Sequence, residues 1–236
     1  MQAQTTKTAF INTKIYTVSE RQPYAEALII EGNKILSVGN EEKIKKLIDK
    51  DTKVIDLQGK LMLPGFIDNH VHFISGGFYL LGIDLRPANS TSEFKQILEN
   101  YASKFPGKWI TGGYWDHEKW EVTDLPTKEM IDEVVSDQPV FVDRLDGHMG
   151  VANSFALKLA GITKDTESPE GGLIVKDPKT GEPTGVLKDN AMYLITKHIP
   201  EPTADENYQA LLAALDEAKK LGITSVQDIT YGDALT

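Results

Sequence analysis

The first part of the chain alternates short runs of β-branched and apolar residues with turn residues. Residues 8–18 and 27–38 favour strands, and a Glu-Gly-Asn-Lys tetrapeptide interrupts the second run as in a tight hairpin turn. Asn40 then caps a short helix with one apolar face, and residues 53–57 favour a further strand. We therefore predict a small β-domain over residues 1–60.

A continuous apolar run follows, and this pattern is typical of a strand that is buried on both faces. The run covers residues 61–73 and has His70 and His72 near its end. The pair Gly76–Gly77 comes next and predicts a turn. We interpret residues 61–83 as one buried strand with its loop.

The middle of the chain, residues 84–202, mixes helical and strand patterns. Apolar residues at helical spacing between Phe94 and Tyr101 predict an amphipathic helix. Strands are predicted further on, at residues 109–115, 139–144 and 172–176. Pro, Gly and Asp residues within 177–183 predict a turn that leads to another short strand. We interpret the segment as an inserted α+β part.

A capping box at residues 203–206 opens the last predicted helix, and Gly222 ends it. Residues 223–229 then favour a buried strand. A helix, a glycine stop and a strand make one α/β step, so we expect this strand to run parallel to residues 66–72. Residues 203–236 thus supply one helix and the second strand of a parallel pair.

Composition and charge narrow the class of protein. With 236 residues, 40% hydrophobic and 25% charged, the chain is typical of a soluble globular protein. A net charge of -10 without a long run of one sign argues against nucleic-acid and anionic-membrane partners. No apolar stretch reaches the roughly 20 residues that span a bilayer, and the polar start is unlike a signal peptide. We expect a cytoplasmic protein, or an exported one if a leader preceded Met1.

The chemistry that the sequence offers centres on His70 and His72. Side chains at i and i+2 of a strand point to the same side, and imidazole is a favoured ligand of Zn²⁺. A zinc site needs at least three protein ligands, however, and the chain has no cysteine. The other histidines, at positions 117, 148 and 198, do not repeat a ligand spacing. The pair is therefore part of a metal site, or else two histidines that merely end a strand.

The stretch from Leu63 to Phe73 resembles the first barrel strand of the amidohydrolase superfamily, where a Pro-Gly-x-Ile-Asp-x-His-x-His pattern binds metal. Later segments are similar to the amidohydrolase 3 branch, which includes N-substituted formamide deformylase-like proteins. These segments are Trp109–Asp116, Arg144–His148, Pro183–Asp189 and Gly222–Asp228. The resemblance covers essentially the whole chain, and the order of the segments is undisturbed.

The resemblance implies an α/β fold: part of a metal-dependent hydrolase (β/α)₈ barrel, with an amino-terminal β-sandwich part and an α+β insertion after strand one. A complete barrel takes roughly 250 residues by itself, so we expect an amino-terminal portion with two of the eight barrel strands. Residues 1–60 would be one part of a composite β-domain. In the family, strands from the far carboxyl end complete that domain.

The resemblance also implies an activity, namely hydrolysis of non-peptide C–N bonds in a small amide-type substrate. His70 and His72 are the metal ligands that carry over. Zn²⁺ is the expected cofactor, with one or two divalent ions in the complete protein; the alternative is that this chain alone holds none. The family's later ligands and its catalytic aspartate have no match in the sequence.

Three further residues are candidates for contact with the substrate. His148 follows a strand and a glycine, and the Asp-Gly-His segment of the resembled branch faces the substrate cavity; the alternative is a hydrogen-bonded loop histidine. Trp115 is a candidate pocket wall, or otherwise core packing. Asp228 lies at the end of the second strand, where it would orient a ligand histidine or bind backbone amides.

Two other classes of function stay open at this point. One is a non-catalytic binding or interaction module, since two barrel strands leave open edges and an apolar face that favour self-association or a homo-oligomer. The other is a complete small metalloprotein in which His148 or Asp228 supplies further ligands.

Overall fold

The computed structural model describes residues 6–121 and 124–229. The chain divides into two compact units. Of the described residues, the first unit contains 6–68 and 220–226, and the second contains 69–121, 124–219 and 227–229. No helix within the described ranges is both long and apolar enough to cross a membrane.

Short strands and one helix make up most of the first unit. The elements are β1 (Lys7–Ile11), β2 (Lys14–Tyr16), β3 (Tyr24–Ala25), β4 (Ala27–Glu31), β5 (Lys34–Gly39), α1 (Glu41–Lys45), β6 (Lys53–Asp56) and β7 (Leu61–Met62). One sheet has the order β5-β4-β1-β6, and a smaller one has the order β3-β2-β7. The side chain of Asn40 accepts a hydrogen bond from the Lys43 amide at 3.0 Å. The predicted strands and the predicted helix cap are confirmed.

The second unit contains a six-stranded mixed sheet of order β13-β14-β12-β11-β10-β9. Its strands are β9 (Ile83–Asp84), β10 (Ile110–Trp115), β11 (Val140–Arg144), β12 (Met149–Ala152), β13 (Gly172–Lys176) and β14 (Pro183–Asp189). β9, β10 and β11 are parallel, and the remaining neighbours are antiparallel. The sheet confirms the three strands predicted in this segment and the strand that follows the predicted turn.

Helices cover this sheet, and apolar side chains fill the space between the layers. The helices of the segment are α3 (Thr91–Ala102), α4 (Lys128–Asp132), α5 (Ser154–Leu159) and α6 (Tyr193–Thr196), and single 3₁₀ turns lie at His117–Lys119 and Asn190–Met192. Phe94 and Leu98 of α3 are fully buried, as the helical spacing predicted. Trp115 and Trp120 pack in the same cluster.

The apolar run at residues 61–73 corrects one prediction. It contains β7 and then β8 (Phe66–Val71), after which α2 (Phe73–Leu81) begins. Phe66 and Ile67 are 53% and 71% exposed, so the strand is not buried on both faces in this chain. A continuous apolar pattern predicts burial only where neighbouring elements cover both sides of the strand.

A second correction concerns Gly76 and Gly77, which lie within α2 and do not form a turn. A Cβ atom on Gly77 would lie 2.0 Å from the backbone oxygen of Ala210, in the helix α7 (Ala204–Lys220). Glycine at position 77 therefore allows α2 and α7 to approach closely. It does not interrupt the helix.

The capping box and the position of the last strand are confirmed, whereas its predicted burial is wrong, because none of residues 223–228 is buried. Thr203 Oγ1 accepts from the Glu206 amide at 3.2 Å, and Glu206 accepts from the Thr203 amide at 3.0 Å, so the two residues cap α7 reciprocally. β15 (Ile223–Asp228) pairs with β8 in a two-stranded sheet. The Phe66 amide donates to the Gly222 oxygen, and the Ile229 amide donates to the Val71 oxygen, so the two strands run parallel.

The architecture is thus mixed α/β. Over residues 6–121 and 124–229 the strands form separate open sheets, and these ranges contain no closed barrel.

Candidate metal centre

His70 and His72 lie where β8 passes into α2. His70 is within the strand, whereas His72 follows it as the N-cap residue of α2, with φ -94° and ψ 79°. The His72 oxygen accepts a hydrogen bond from the Gly76 amide at 2.8 Å, which closes the first turn of the helix. The alternation of side chains along a strand therefore determines the side-chain direction of His70 only. The backbone conformation at the start of α2 determines the side-chain direction of His72.

Both histidines are exposed. Two neutral nitrogen donors suit Zn²⁺ and other divalent transition ions. Within residues 6–121 and 124–229, no three His, Cys, Asp or Glu side chains are grouped so that they could hold a metal ion. The donor set fits a divalent ion as two ligands of a larger set, and it gives no support to a complete site that includes His148 or Asp228.

Asp228 is at the end of β15, beside the same strand-to-helix passage. Its Oδ1 accepts a hydrogen bond from the Phe73 amide at 3.1 Å. Phe73 is the first residue of α2 and follows His72 directly, so this carboxylate fixes the backbone next to the histidine pair. An acceptor at the first turn also satisfies an amide that has no partner within the helix.

His148 lies in the loop between β11 and β12, and its side chain is 75% exposed. Its Nδ1 lies 3.0 Å from Oδ1 of Asp189, the last residue of β14. The Asp189 amide in turn donates to the His148 oxygen at 2.9 Å. Asp189 has φ 49°, in the left-handed region that residues other than glycine rarely adopt. These two contacts fix His148 on Asp189.

Arg144 holds the loop that carries His148. Its guanidinium contacts Glu118 Oε1 at 2.5 Å and also pairs with Asp146, while only 16% of the Arg144 side chain is exposed. Asp146 Oδ1 accepts from the His148 amide at 3.0 Å. Loss of solvent opposes ionisation of Asp146, but the His148 amide and the Arg144 charge together hold its pKa below the ordinary value. The loop is therefore held by Arg144 and Asp146 within it and by the contact of His148 with Asp189 on β14.

Arg144, Asp146 and Asp189 were not singled out from the sequence. Met149 pairs with Lys188 in the register of β12 and β14, and this register brings Asp189 beside His148. The sequence does contain the segments Arg144–His148 and Pro183–Asp189, but their contact depends on a pairing between distant strands. A left-handed aspartate before a helical turn gives no signal in the sequence.

Trp115 is fully buried, which corrects its interpretation as a pocket wall. Its indole nitrogen donates to the Val142 oxygen at 2.9 Å, and its ring lies 6.5 Å from that of Trp120 and 5.7 Å from that of His117. A side chain with no exposed surface cannot contact a substrate directly, so its role is packing.

The chain is similar to several characterised proteins and solved structures. It is 40% identical over 219 residues to Protein LONG AFTER FAR-RED 3 of Arabidopsis thaliana, covering 92% of this chain and 37% of that protein. It is 31% identical to N-substituted formamide deformylase of Arthrobacter pascens, covering 92% of this chain and 41% of that enzyme. The chain thus spans about two fifths of the length of these relatives.

A solved structure, that of an uncharacterized metal-dependent hydrolase from Pyrococcus horikoshii OT3, matches with a TM-score of 0.67 and 30% identity. The match covers 93% of this chain and 42% of that hydrolase. The model of the amidohydrolase family (Amidohydro_3) matches residues 53–235, which is most of the chain and includes His70, His72, His148 and Asp228. The chain therefore belongs to the amidohydrolase family.

Proposed function

We propose that this chain contributes two metal ligands, His70 and His72, to the Zn²⁺ site of a hydrolase for non-peptide C–N bonds. The observation that carries the proposal is the position of both histidines at the carboxyl end of β8, parallel to β15. Active-site groups of parallel α/β folds collect at this end of the strands. The similarity to N-substituted formamide deformylase supports a small amide or formamide as substrate.

Each side chain has a definite task in this proposal. His70 and His72 would hold a divalent ion through imidazole nitrogens. When bound, the ion would supply a water of lowered pKa and an electrophile for the scissile carbonyl. Asp228 fixes the Phe73 amide, and this keeps His72 at the start of α2.

His148 binds the substrate carbonyl in this proposal. Nδ1 of His148 lies 3.0 Å from Oδ1 of Asp189, so this contact orients the ring and leaves Nε2 as the nitrogen that faces the carbonyl oxygen. Asp189 therefore orients the imidazole, while Arg144 and Asp146 hold its loop.

Metal analysis tests the ligand assignment. We expect purified wild-type chain that is dialysed against Zn²⁺ to retain metal, and His70→Ala and His72→Ala to lose most of it, because each removes one nitrogen donor. His198→Ala is the matched control, since His198 is an exposed histidine outside the strand-to-helix passage. Equal metal content in all four proteins would contradict the assignment.

A second candidate function is a non-catalytic interaction module. The observation that favours it is the exposure of the apolar side chains Leu61, Leu63, Phe66 and Ile67 in and around β7 and β8, since exposed apolar surface favours contact with a partner. Formate release from an N-substituted formamide, measured with the purified chain and Zn²⁺, separates the two functions. If the wild-type chain releases formate and His70→Ala does not, the chain is not a non-catalytic interaction module. If the chain binds metal but releases no formate, the result favours the interaction module.

A further inference from the structure

A cavity of about 700 Å³ lies within the second unit. Its wall includes six aromatic side chains: Phe78, Tyr79, Tyr101, Phe105, Trp109 and Tyr114. His70, His72, His148 and Asp228 do not line it. Sites for small organic ligands have volumes of roughly 300 to 1,000 Å³ and are mostly apolar with a few polar groups. The size and lining of the cavity fit this class.

The walls of the cavity are held by close packing between elements. α2 supplies Phe78 and Tyr79, and its Gly77 lies against Ala210 of α7, so these two helices have a fixed separation. In β10 a register shift between Gly112 and Trp115 interrupts the regular pairing. Tyr114 there adopts φ 56°, and its ring centroid lies 4.8 Å from that of Tyr79. A strained aromatic residue at a cavity wall is typical of a binding site.

One aromatic ring of this wall contacts a cation. The Arg86 guanidinium lies 4.7 Å from the centroid of the Tyr79 ring. Ring faces carry partial negative charge, and they bind organic cations most strongly where water is partly excluded. The aromatic lining therefore favours a positively charged ligand over a neutral or negative one.

Carboxylates at the cavity favour the same sign of charge. Lys108 Nζ lies 2.9 Å from Glu206 Oε1, and these two charges offset one another. Asp205, beside Glu206 at the start of α7, also lines the cavity. Within the described ranges, no ion pair or side-chain hydrogen bond engages the Asp205 carboxylate. The cavity thus has one uncompensated negative charge among three ionised groups.

Asp143 lies near Tyr114 of the lining. Burial raises the pKa of the Tyr114 hydroxyl, and the Asp143 charge adds to this increase. The carboxyl group of Asp143 accepts no hydrogen bond from the described residues. A second acid is therefore close to one aromatic residue of the cavity.

We propose that this cavity binds a small organic amine, with its apolar or aromatic body against the ring wall and its ammonium group at Asp205. No residue of the proposed metal centre lines the cavity, so this proposal goes beyond the hydrolytic function. The ligand class follows from cation–π attraction and from the uncompensated carboxylate.

Three probes with the same phenyl body and different charge test the proposal: 2-phenylethylamine, 2-phenylethanol and 3-phenylpropionate. We expect calorimetry on the full 236-residue chain at neutral pH to give a Kd for the amine about tenfold lower than for the alcohol, and no binding of the carboxylate. Trp109 lines the cavity, so its fluorescence reports the same event, and Trp109→Phe removes that signal.

Variants assign the charge preference to this cavity. Asp205→Asn removes the preference for the amine and leaves the Kd of the alcohol unchanged. Lys108→Met frees Glu206 from its ion pair and lowers the Kd of the amine by about threefold, a gain that damage to the fold would not produce. Asp216→Asn is the matched control, because Asp216 is an exposed acid of the same helix that does not line the cavity.

Three results would overturn the proposal. One is equal affinity for all three probes, or no binding by a folded wild-type chain. Another is an amine Kd that Asp205→Asn and Lys108→Met leave unchanged. The last is amine binding that is lost in His70→Ala, which would place the ligand at the histidine pair.

Discussion

Asp143 is a carboxyl group that the fold withdraws from water. It follows the buried residues Phe141 and Val142 on β11, and burial raises its pKa to about 6. Between about pH 4 and pH 6 the folded chain therefore binds more protons at this site than the unfolded chain. Folding stability from this group falls as pH rises through that window and stays lower above it.

We predict that Asp143→Asn removes this pH-dependent loss of folding stability. Relative to wild type, the free energy of unfolding of the variant should rise by about 2 kcal/mol between pH 4 and pH 7, from a pKa difference of about two units. Urea unfolding at both pH values measures the change, and other carboxylates cancel in the comparison. Asp165→Asn, at an exposed loop position, should follow wild type at both pH values. A constant difference between wild type and Asp143→Asn would show that Asp143 ionises normally.

Individual site residues could be predicted from the sequence only where a local pattern contains the signal. His70 and His72 belong to a contiguous motif, so the sequence names them as candidate ligands without knowledge of the fold. Asp189 could not be found as the partner of His148, because that contact depends on the register between β12 and β14. Trp115 shows the same limit, since burial depends on the elements that cover a side chain.

The crossing of α2 and α7 depends on a single glycine. We predict that Gly77→Ala lowers the free energy of unfolding by about 1–3 kcal/mol, because its Cβ would lie 2.0 Å from the Ala210 oxygen and the helices would have to separate. Gly76→Ala is the matched control in the same helix. Its Cβ would meet no atom within 4 Å, and alanine is a better helix former by about 1 kcal/mol.

Chemical denaturation and helicity from circular dichroism measure both variants. Gly76→Ala should equal or exceed the stability of wild type. If the two variants behaved alike, helix propensity and not the contact with α7 would determine the role of Gly77.

Elements with strong local signals could be predicted, and elements that depend on packing could not. The cap of α1, the capping box of α7 and the apolar face of α3 are all encoded within one or two helical turns. In α2 the Gly-Gly pair favours a turn locally, but contact with α7 stabilises the helical state. Packing between distant parts of the chain therefore overrides the local preference there.

At the scale of the whole molecule, the motifs allowed the family to be predicted, but they did not predict how much apolar surface the strands expose. The first unit contains the exposed residues Leu61, Leu63, Phe66 and Ile67 in and around β7 and β8. A parallel strand of this composition is normally covered on both faces. These four exposed apolar side chains, which we call the strand surface, favour self-association.

We predict that the purified chain associates with rising concentration. Ile67→Ser should weaken this association several-fold, because Ile67 is 71% exposed, more than the other three side chains of the strand surface. Sedimentation velocity over a concentration series measures the change. Tyr193→Ser removes a side chain of similar exposure, 68%, on α6, and it should leave the association unchanged. If both variants weakened association equally, general surface hydrophobicity would be the cause. A wild-type chain that stayed monomeric at every concentration would exclude any role for the strand surface.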